Sequence, residues 1–195
     1  MTKQYGIIGK PIEHSLSPVL HNYWFKKYEI DANYSLINVN EDDLANLIKK
    51  IKDKKYSGIN VTLPYKQKIV SYVDLLVNDA ELTSSVNTIY LDDEETIIGD
   101  NTDVFGLQAA YLKEVDDISI KKALVIGAGG VSPSVILSLQ KSGVKNISII
   151  NRTKEKCIFL KKKFHNLKII DWSSLQNEIK NYDIVVNATS LGLMN

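Results

Sequence analysis

"KALVIGAGGVSPSVILSL", residues 122–139, is an apolar run that breaks into glycine and then turns helical. Lys122 to Ile126 has the length and character of a buried strand. Gly127-Ala128-Gly129-Gly130 follows directly, and a helix is expected over about 131–141. Gly127 permits the tight turn, and Gly129 lets backbone approach a pyrophosphate. Gly130 stands at the helix entry, where amide groups and the helix dipole favour an anion. The stretch departs from the dinucleotide fingerprint at Ser132, where a third glycine or alanine should fall. A small residue there still allows close helix packing. Pro133 is tolerable only within the first turn, where its missing N–H is not needed. The bland alternative is an ordinary strand-to-helix turn.

Downstream, the pattern repeats. Strand Asn146 to Ile150, helix about 154–163, strand Leu167 to Ile170, helix about 173–180 and strand Asp183 to Val186 follow in turn. That is one mononucleotide-binding half of a doubly wound sheet. An enzyme using NAD usually places an acid after the second strand, for the ribose hydroxyls. This chain has Asn151-Arg152-Thr153 there, with Lys154 and Lys156 close behind. A guanidinium pairs with a 2'-phosphate and a hydroxyl can bond it, so NADP is expected over NAD. The alternative for Arg152 is a plain surface charge.

Upstream, strands and helices alternate as well. Tyr5 to Ile8 and Tyr34 to Val39 read as strands, and Ser17-Pro18 reads as a capped helix start. Leu44, Leu47, Ile48 and Ile51 recur at helical spacing. "GINVTLPYK", residues 58–66, alternates Ile59, Val61 and Leu63 with Asn60 and Thr62. Ile69, Val70, Val73, Leu76 and Val77 suggest another helix. Val86 to Leu91 and Thr96 to Ile98 flank an acidic turn and suggest a strand pair. The expected architecture is α/β: an N-terminal α/β domain with a mostly parallel sheet over 1–103, then a partial Rossmann domain over 104–195.

Composition narrows the function. The 195 residues are 44% hydrophobic and 24% charged, with a net charge of +1, so no polyanion is advertised as a partner. Lys161 to Lys163 reads as a solvated helix face. The lone Cys157 excludes an internal disulfide and fits a reducing compartment. No apolar run approaches the ~20 residues of a membrane span, and no signal segment follows Met1, so a cytoplasmic location is expected. No metal site is expected.

Polar residues in the first half gather at strand ends. Asn60 and Thr62 share one face, Ser15 and Ser17 lie beyond the first strand, Asn87 interrupts an apolar run, and Asp103 ends "GDNTD". Singly, Ser17 can cap a helix, Asn87 can close a turn and Asp103 can cap the connecting helix. Together they suit a polyhydroxylated ligand.

These stretches resemble the shikimate dehydrogenase family. "GKPIEHSLSPVLHN" (9–22), "GINVTLPYK", "SVNTI" (85–89), "GDNTD" (99–103), "GAGG" (127–130), "NRT" (151–153) and "NATSLG" (187–192) occur in the family's order, from about Tyr5 to Gly192. The resemblance implies NADP-linked reduction of 3-dehydroshikimate to shikimate, on the route to aromatic amino acids. It implies that Ser15 and Ser17 hold the substrate carboxylate and that Asn60, Thr62, Asn87 and Asp103 hold ring hydroxyls. It makes Lys66 catalytic, with Asp103 beside it. It places the cofactor against Gly127, Ala128, Gly129, Gly130, Val131, Asn151, Arg152, Thr153, Lys156, Asn187 and Thr189. His14 and His21 receive no proton-transfer role.

The chemistry agrees. As hydride reaches a ketone carbon, charge grows on oxygen and a proton donor stabilises it. A lysine, ordinarily near pKa ~10.4, is protonated at neutral pH. A neighbouring carboxylate such as Asp103 would keep it charged. Two other readings are a relative that accepts quinate or uses NAD, and a non-catalytic module that binds shikimate or NADP. The expected partners are small molecules, with no nucleic acid and no membrane, in a monomer or homodimer. The family continues past position 195, so the chain reads as C-terminally truncated. A chain truly ending there is expected to bind NADP weakly, to self-associate and not to turn over.

Overall fold

Two separate sheets organise the computed structural model, which describes residues 2–192. The chain divides into two compact units, Met1–Asn101 and Thr102–Asn195.

The first unit runs β1 (Lys3–Ile8), α1 (Ser17–Lys27), β2 (Ala32–Ile37), α2 (Leu44–Lys52), β3 (Gly58–Val61), β4 (Leu75–Leu76), α3 (Asp79–Thr83), β5 (Thr88–Leu91) and β6 (Ile97–Asp100). Its six strands lie in the order β2-β1-β3-β5-β6-β4. β1 is parallel to β2 and β3, and β4 is parallel to β6. β5 is antiparallel to both its neighbours, because the acidic turn after Leu91 folds it into a hairpin with β6. The stripe of α2 buries Leu44, Leu47, Ile48 and Ile51 against Ile8, Ile59, Val61, Ile89 and Ile97 on one sheet face. Each such side chain contributes about 1.5–3 kcal/mol of transfer free energy. On the opposite face Ile7, Ile12 and Tyr34 pack with Tyr5 and Phe25 of α1.

Two expectations fail here. The stripe from Ile69 to Val77 is not an α-helix: residues Lys68–Tyr72 form a 3-10 helix and Leu75–Leu76 form β4. Edge pairing overrides the helical period. Asp74 and Val77 donate their amides to Ile97 and Gly99, and the Asp74 carboxylate accepts the Ile97 amide at 2.9 Å. Val70 and Val73, branched at Cβ, favour that outcome. Ser17 is also not the cap of α1. Leu16 occupies that position, and Ser17 is the first helical residue.

The second unit runs α4 (Asp103–Ala110), β7 (Lys122–Ile126), α5 (Ser132–Lys141), β8 (Asn146–Ile150), α6 (Lys154–Lys163), β9 (Leu167–Ile170), α7 (Leu175–Glu178) and β10 (Ile184–Asn187). The four strands are all parallel, in the order β10-β7-β8-β9. The helix expected over 173–180 is a single α-turn, α7, flanked by 3-10 turns. Residues Ser132–Leu139 of α5 are buried all round, between the sheet and α4. The Ser138 hydroxyl donates to the carbonyls of Ser134 (2.8 Å) and Val104 (3.0 Å), which lets a polar residue sit in that core. Lys161 and Lys162 are exposed on the last turn of α6, while Lys163 is half-buried and desolvation lowers its pKa.

Candidate functional site

In the first unit, four of the polar residues singled out in the sequence, Ser15, Ser17, Asn60 and Asn87, connect through Tyr34. This tyrosine sits in β2 beside Tyr5 of β1 and is 4% exposed. Its backbone is held by Asn22 of α1: the Tyr34 amide donates to Asn22 Oδ1 (2.9 Å), and Asn22 Nδ2 donates to the Tyr34 carbonyl (2.8 Å). The His21 ring stacks on the Tyr34 ring, centroids 4.2 Å apart and planes 7° from parallel. Burial pushes the Tyr34 phenol up to about 12, against a smaller opposing effect of a hydrogen bond from the Ser17 side chain. Desolvation likewise lowers the His21 pKa, so the neutral ring is favoured.

From Tyr34 hydrogen bonds run both ways. Freed from capping, the Ser17 hydroxyl accepts from Ser15 Oγ at 3.1 Å, and Ser15 Oγ in turn accepts the Ser17 amide at 3.3 Å. On the other side Tyr34 OH donates to Asn60 Oδ1 at 2.7 Å. Asn60 lies in β3, opposite Thr88 of β5. Its Nδ2 donates to the Asn87 carbonyl (3.2 Å) and to Thr88 Oγ1 (3.1 Å), and Thr88 Oγ1 donates to Asn87 Oδ1 (2.9 Å). The Val61 amide also bonds the Asn87 carbonyl, at 2.8 Å. Ser15, Ser17, Asn60 and Asn87 therefore belong to one hydrogen-bonded group.

Thr62 and Lys66 follow β3 on a turn. The Thr62 amide donates to Ile8 (2.9 Å), and the Thr62 carbonyl accepts from Tyr65 (3.0 Å). The Lys66 carbonyl accepts the Val86 amide at 2.8 Å, which ties this turn to the segment carrying Asn87. Gly9 is required beside it: a Cβ there would stand 2.5 Å from the Thr62 methyl and 2.9 Å from the Leu63 carbonyl. Asp103 is the first residue of α4, assigned to the second unit, and Thr102 holds the cap position. The sequence signalled Ser15, Ser17, Asn60 and Asn87 but not Tyr34, Asn22 or Thr88, whose importance lies in cross-strand and helix-to-strand partners.

In the second unit the glycine turn is built as a closed loop. Gly127 has φ +110°, and a Cβ on it would meet the Ala188 backbone and the Thr189 methyl at 2.9 Å. Gly129 is different: a Cβ there would meet only the Ala188 carbonyl, at 3.8 Å. Ser132 clamps the turn, its hydroxyl donating to the Gly127 carbonyl (3.0 Å) and accepting the Gly129 amide (2.9 Å). Asn151 Oδ1 accepts the Ala128 amide (3.2 Å), while Asn151 Nδ2 donates to the Thr153 carbonyl (2.9 Å). The residue that departs from the glycine fingerprint thus does structural work, which its small size alone did not disclose. Gly130 and Val131 complete the turn, with Val131 at the cap of α5.

Beyond β8, Arg152 and Thr153 are exposed, as is Lys156. Arg152 forms no ion pair or hydrogen bond with any described residue. Lys154 is engaged with Asp171 at 2.6 Å, which raises its pKa. At the end of β10, Asn187 Oδ1 accepts the Thr189 amide (3.0 Å) and hydroxyl (2.6 Å), and Thr189 Oγ1 accepts the Leu191 amide (3.1 Å). These two residues shape the loop that lies against Gly127. An open approach to Gly129 and an unpaired guanidinium beyond the next strand fit a phosphorylated dinucleotide. A cavity of about 450 Å³ lies elsewhere, among Lys122, Asn146, Lys168 and Tyr182. Those strand positions are at the end of the sheet away from the glycine turn.

Among the described residues no helix is long and apolar enough to cross a membrane, and no group of three or more His, Cys, Asp or Glu could hold a metal ion.

Comparison with known proteins gives a consistent result. A family model described as the shikimate dehydrogenase substrate binding domain matches residues 7–89. A second, described as shikimate / quinate 5-dehydrogenase, matches residues 109–193. A shikimate dehydrogenase (NADP(+)) of Pelagibacter ubique is 45% identical over 193 residues, a match covering 99% of this chain and 71% of that protein. The crystal structure of shikimate dehydrogenase from Aquifex aeolicus superposes with a TM-score of 0.91 at 36% identity, covering 100% of this chain and 71% of that one. A shikimate dehydrogenase solved in complex with NADP+ superposes with a TM-score of 0.88 at 36% identity, covering 98% and 68%.

Proposed function

The chain belongs to the shikimate dehydrogenase family, and we propose that it interconverts 3-dehydroshikimate and shikimate with NADP as the redox cofactor. The observation that carries this reading is the hydrogen-bonded group of Ser15, Ser17, Asn60 and Asn87, which offers hydroxyl and amide groups to a polyhydroxylated acid. Family members named for NADP(+), and one solved with NADP+ bound, support the cofactor.

Bound NADPH supplies the hydride. The chain's own residues supply the rest. Ser15 and Ser17 hold the substrate carboxylate by neutral hydrogen bonds, and Asn60, Thr62 and Asn87 bond ring oxygens. Lys66 gives its ammonium proton to the ketone oxygen as charge develops there. In the opposite direction neutral Lys66 would remove the hydroxyl proton, the hydride of the ring carbon going to the NADP+ that the site would hold. Gly127 to Val131 would hold the pyrophosphate, Asn151 to Thr153 and Lys156 would hold the adenosine side, and Asn187 and Thr189 would line the adjoining wall. Arg152 discriminates NADP from NAD by pairing with the 2'-phosphate.

The test is NADPH oxidation with 3-dehydroshikimate, run beside NADH and beside quinate in the reverse direction. Arg152→Ala is expected to weaken NADP by ~10²-fold, a few kcal/mol, and to leave NAD nearly unchanged. Equal losses for both cofactors would show that Arg152 does not read the phosphate. Faster turnover of quinate than of shikimate would move the chain to the quinate branch of the family.

A further inference from the structure

Asparagine side chains present a donor at one end and an acceptor at the other, so their use in recognition depends on which way each is turned. In this unit the turn of two of them is set by a directional series of bonds. Tyr34 has one proton to give and gives it to Asn60 Oδ1 at 2.7 Å. With its oxygen held there, Asn60 directs Nδ2 at Thr88 Oγ1 (3.1 Å) and the Asn87 carbonyl (3.2 Å). Thr88, accepting from Asn60, gives its own proton to Asn87 Oδ1 at 2.9 Å. That turns the Nδ2 donors of Asn87 to the opposite side. Reversing Asn60 would set its Oδ1 against the Asn87 carbonyl, acceptor against acceptor, and reversing Asn87 would take from the Thr88 proton its acceptor.

Three features keep the origin of the series fixed. Tyr34 is 4% exposed. Asn22 grips its backbone through two bonds of 2.8 and 2.9 Å. The His21 ring lies flat against it at 4.2 Å. Successive bonds of one sense also polarise one another, which strengthens the whole series.

We infer that Tyr34 and Thr88 are positioning residues, which set the donor–acceptor pattern that Asn60 and Asn87 show to the ligand's ring hydroxyls. The inference rests on the reading of this cluster as the shikimate site. Neither Tyr34 nor Thr88 is among the polar positions singled out in the sequence.

The test is titration of shikimate into the protein and into Tyr34→Phe, Thr88→Val and Thr88→Ser, with a thermal melt of each. Phe and Val keep shape and remove one hydroxyl, whereas Ser keeps the hydroxyl and loses a methyl group. Tyr34→Phe and Thr88→Val are each expected to weaken shikimate by ~10-fold, the scale of one misplaced hydrogen bond. Thr88→Ser should bind within ~3-fold of the parent. The Tyr34→Phe/Thr88→Val double variant should lose little more than the worse single one, since both break the same series. Binding by Thr88→Ser as poor as by Thr88→Val, or fully additive losses, would overturn the inference while leaving the site intact. Parent protein that does not bind shikimate would instead overturn the reading of the site, and the inference with it. Loss of the fold in Tyr34→Phe would leave the Val/Ser comparison at position 88 to decide.

Discussion

Gly127→Ala and Gly129→Ala separate two reasons for glycine within one turn. At Gly127 alanine meets both a forbidden backbone and a wall. Its φ of +110° lies where side chains are rarely found, and its Cβ would stand 2.9 Å from the Ala188 carbonyl carbon and oxygen. Strain of that kind costs ~1–3 kcal/mol. Overpacking against backbone that cannot swing aside costs about the same again. The sum, about 2–6 kcal/mol, is a large part of the 5–15 kcal/mol that typically holds a domain together. At roughly 2–4 °C per kcal/mol for a chain of this size, Gly127→Ala should melt about 5–20 °C below the parent. At Gly129 the added methyl meets only one atom, at 3.8 Å, and no unusual φ opposes it. Stability should change by no more than ~0.5 kcal/mol. The methyl would nevertheless occupy the approach of a pyrophosphate, so NADP affinity should fall by ~10-fold or more, about 1.4 kcal/mol. Thermal denaturation and NADP titration of the two variants read these quantities directly. A Gly129→Ala protein as unstable as Gly127→Ala would refute the steric argument. One that binds NADP like the parent would place the pyrophosphate elsewhere.

Lys66→Ala should lower turnover by ~10²-fold or more with little change in shikimate affinity, measured by steady-state kinetics beside direct titration; near-normal turnover would remove lysine from the mechanism. Ser132→Ala takes a partner from both the Gly127 carbonyl and the Gly129 amide. It should cost ~1–3 kcal/mol in denaturant unfolding, and an unchanged midpoint would deny the hydroxyl its clamping role. Burial lowers the His21 pKa from its ordinary 6.5, so below that pH the unfolded chain takes up this proton more readily than the folded one. The stability contributed by neutral His21 is therefore complete above pH 6.5 and lost as pH falls through the lower folded-state value. Melting temperature should drop on acidification across that window, and less steeply in His21→Gln; equal slopes would exclude His21 as the source.

Much of this protein was legible from residue order. Strands β7, β8 and β9 have the bounds read from the sequence, because each is a continuous apolar run whose ends are marked by turn residues. The α2 stripe was equally plain, since all four of its apolar positions face one core. Ser15, Ser17, Asn60 and Asn87 stood out as polar residues gathered at or beyond strand ends. Other features had no local signal. The stretch from Ile69 to Val77 has helical spacing, yet hydrogen bonds to β6 draw it into a 3-10 turn and an edge strand. Tyr34 looked like an ordinary strand residue, and Thr88 like the β-branched filler of a hairpin. Their roles come from partners 26 and 28 positions away in the chain, on other strands of the sheet. Ser132 looked like a defect in a glycine motif, and only the path of the turn shows its hydroxyl closing it. Periodicity reports what a residue does for its own element. A hydrogen bond between elements depends on register and sheet order, which the chain acquires only when its apolar faces have been packed together.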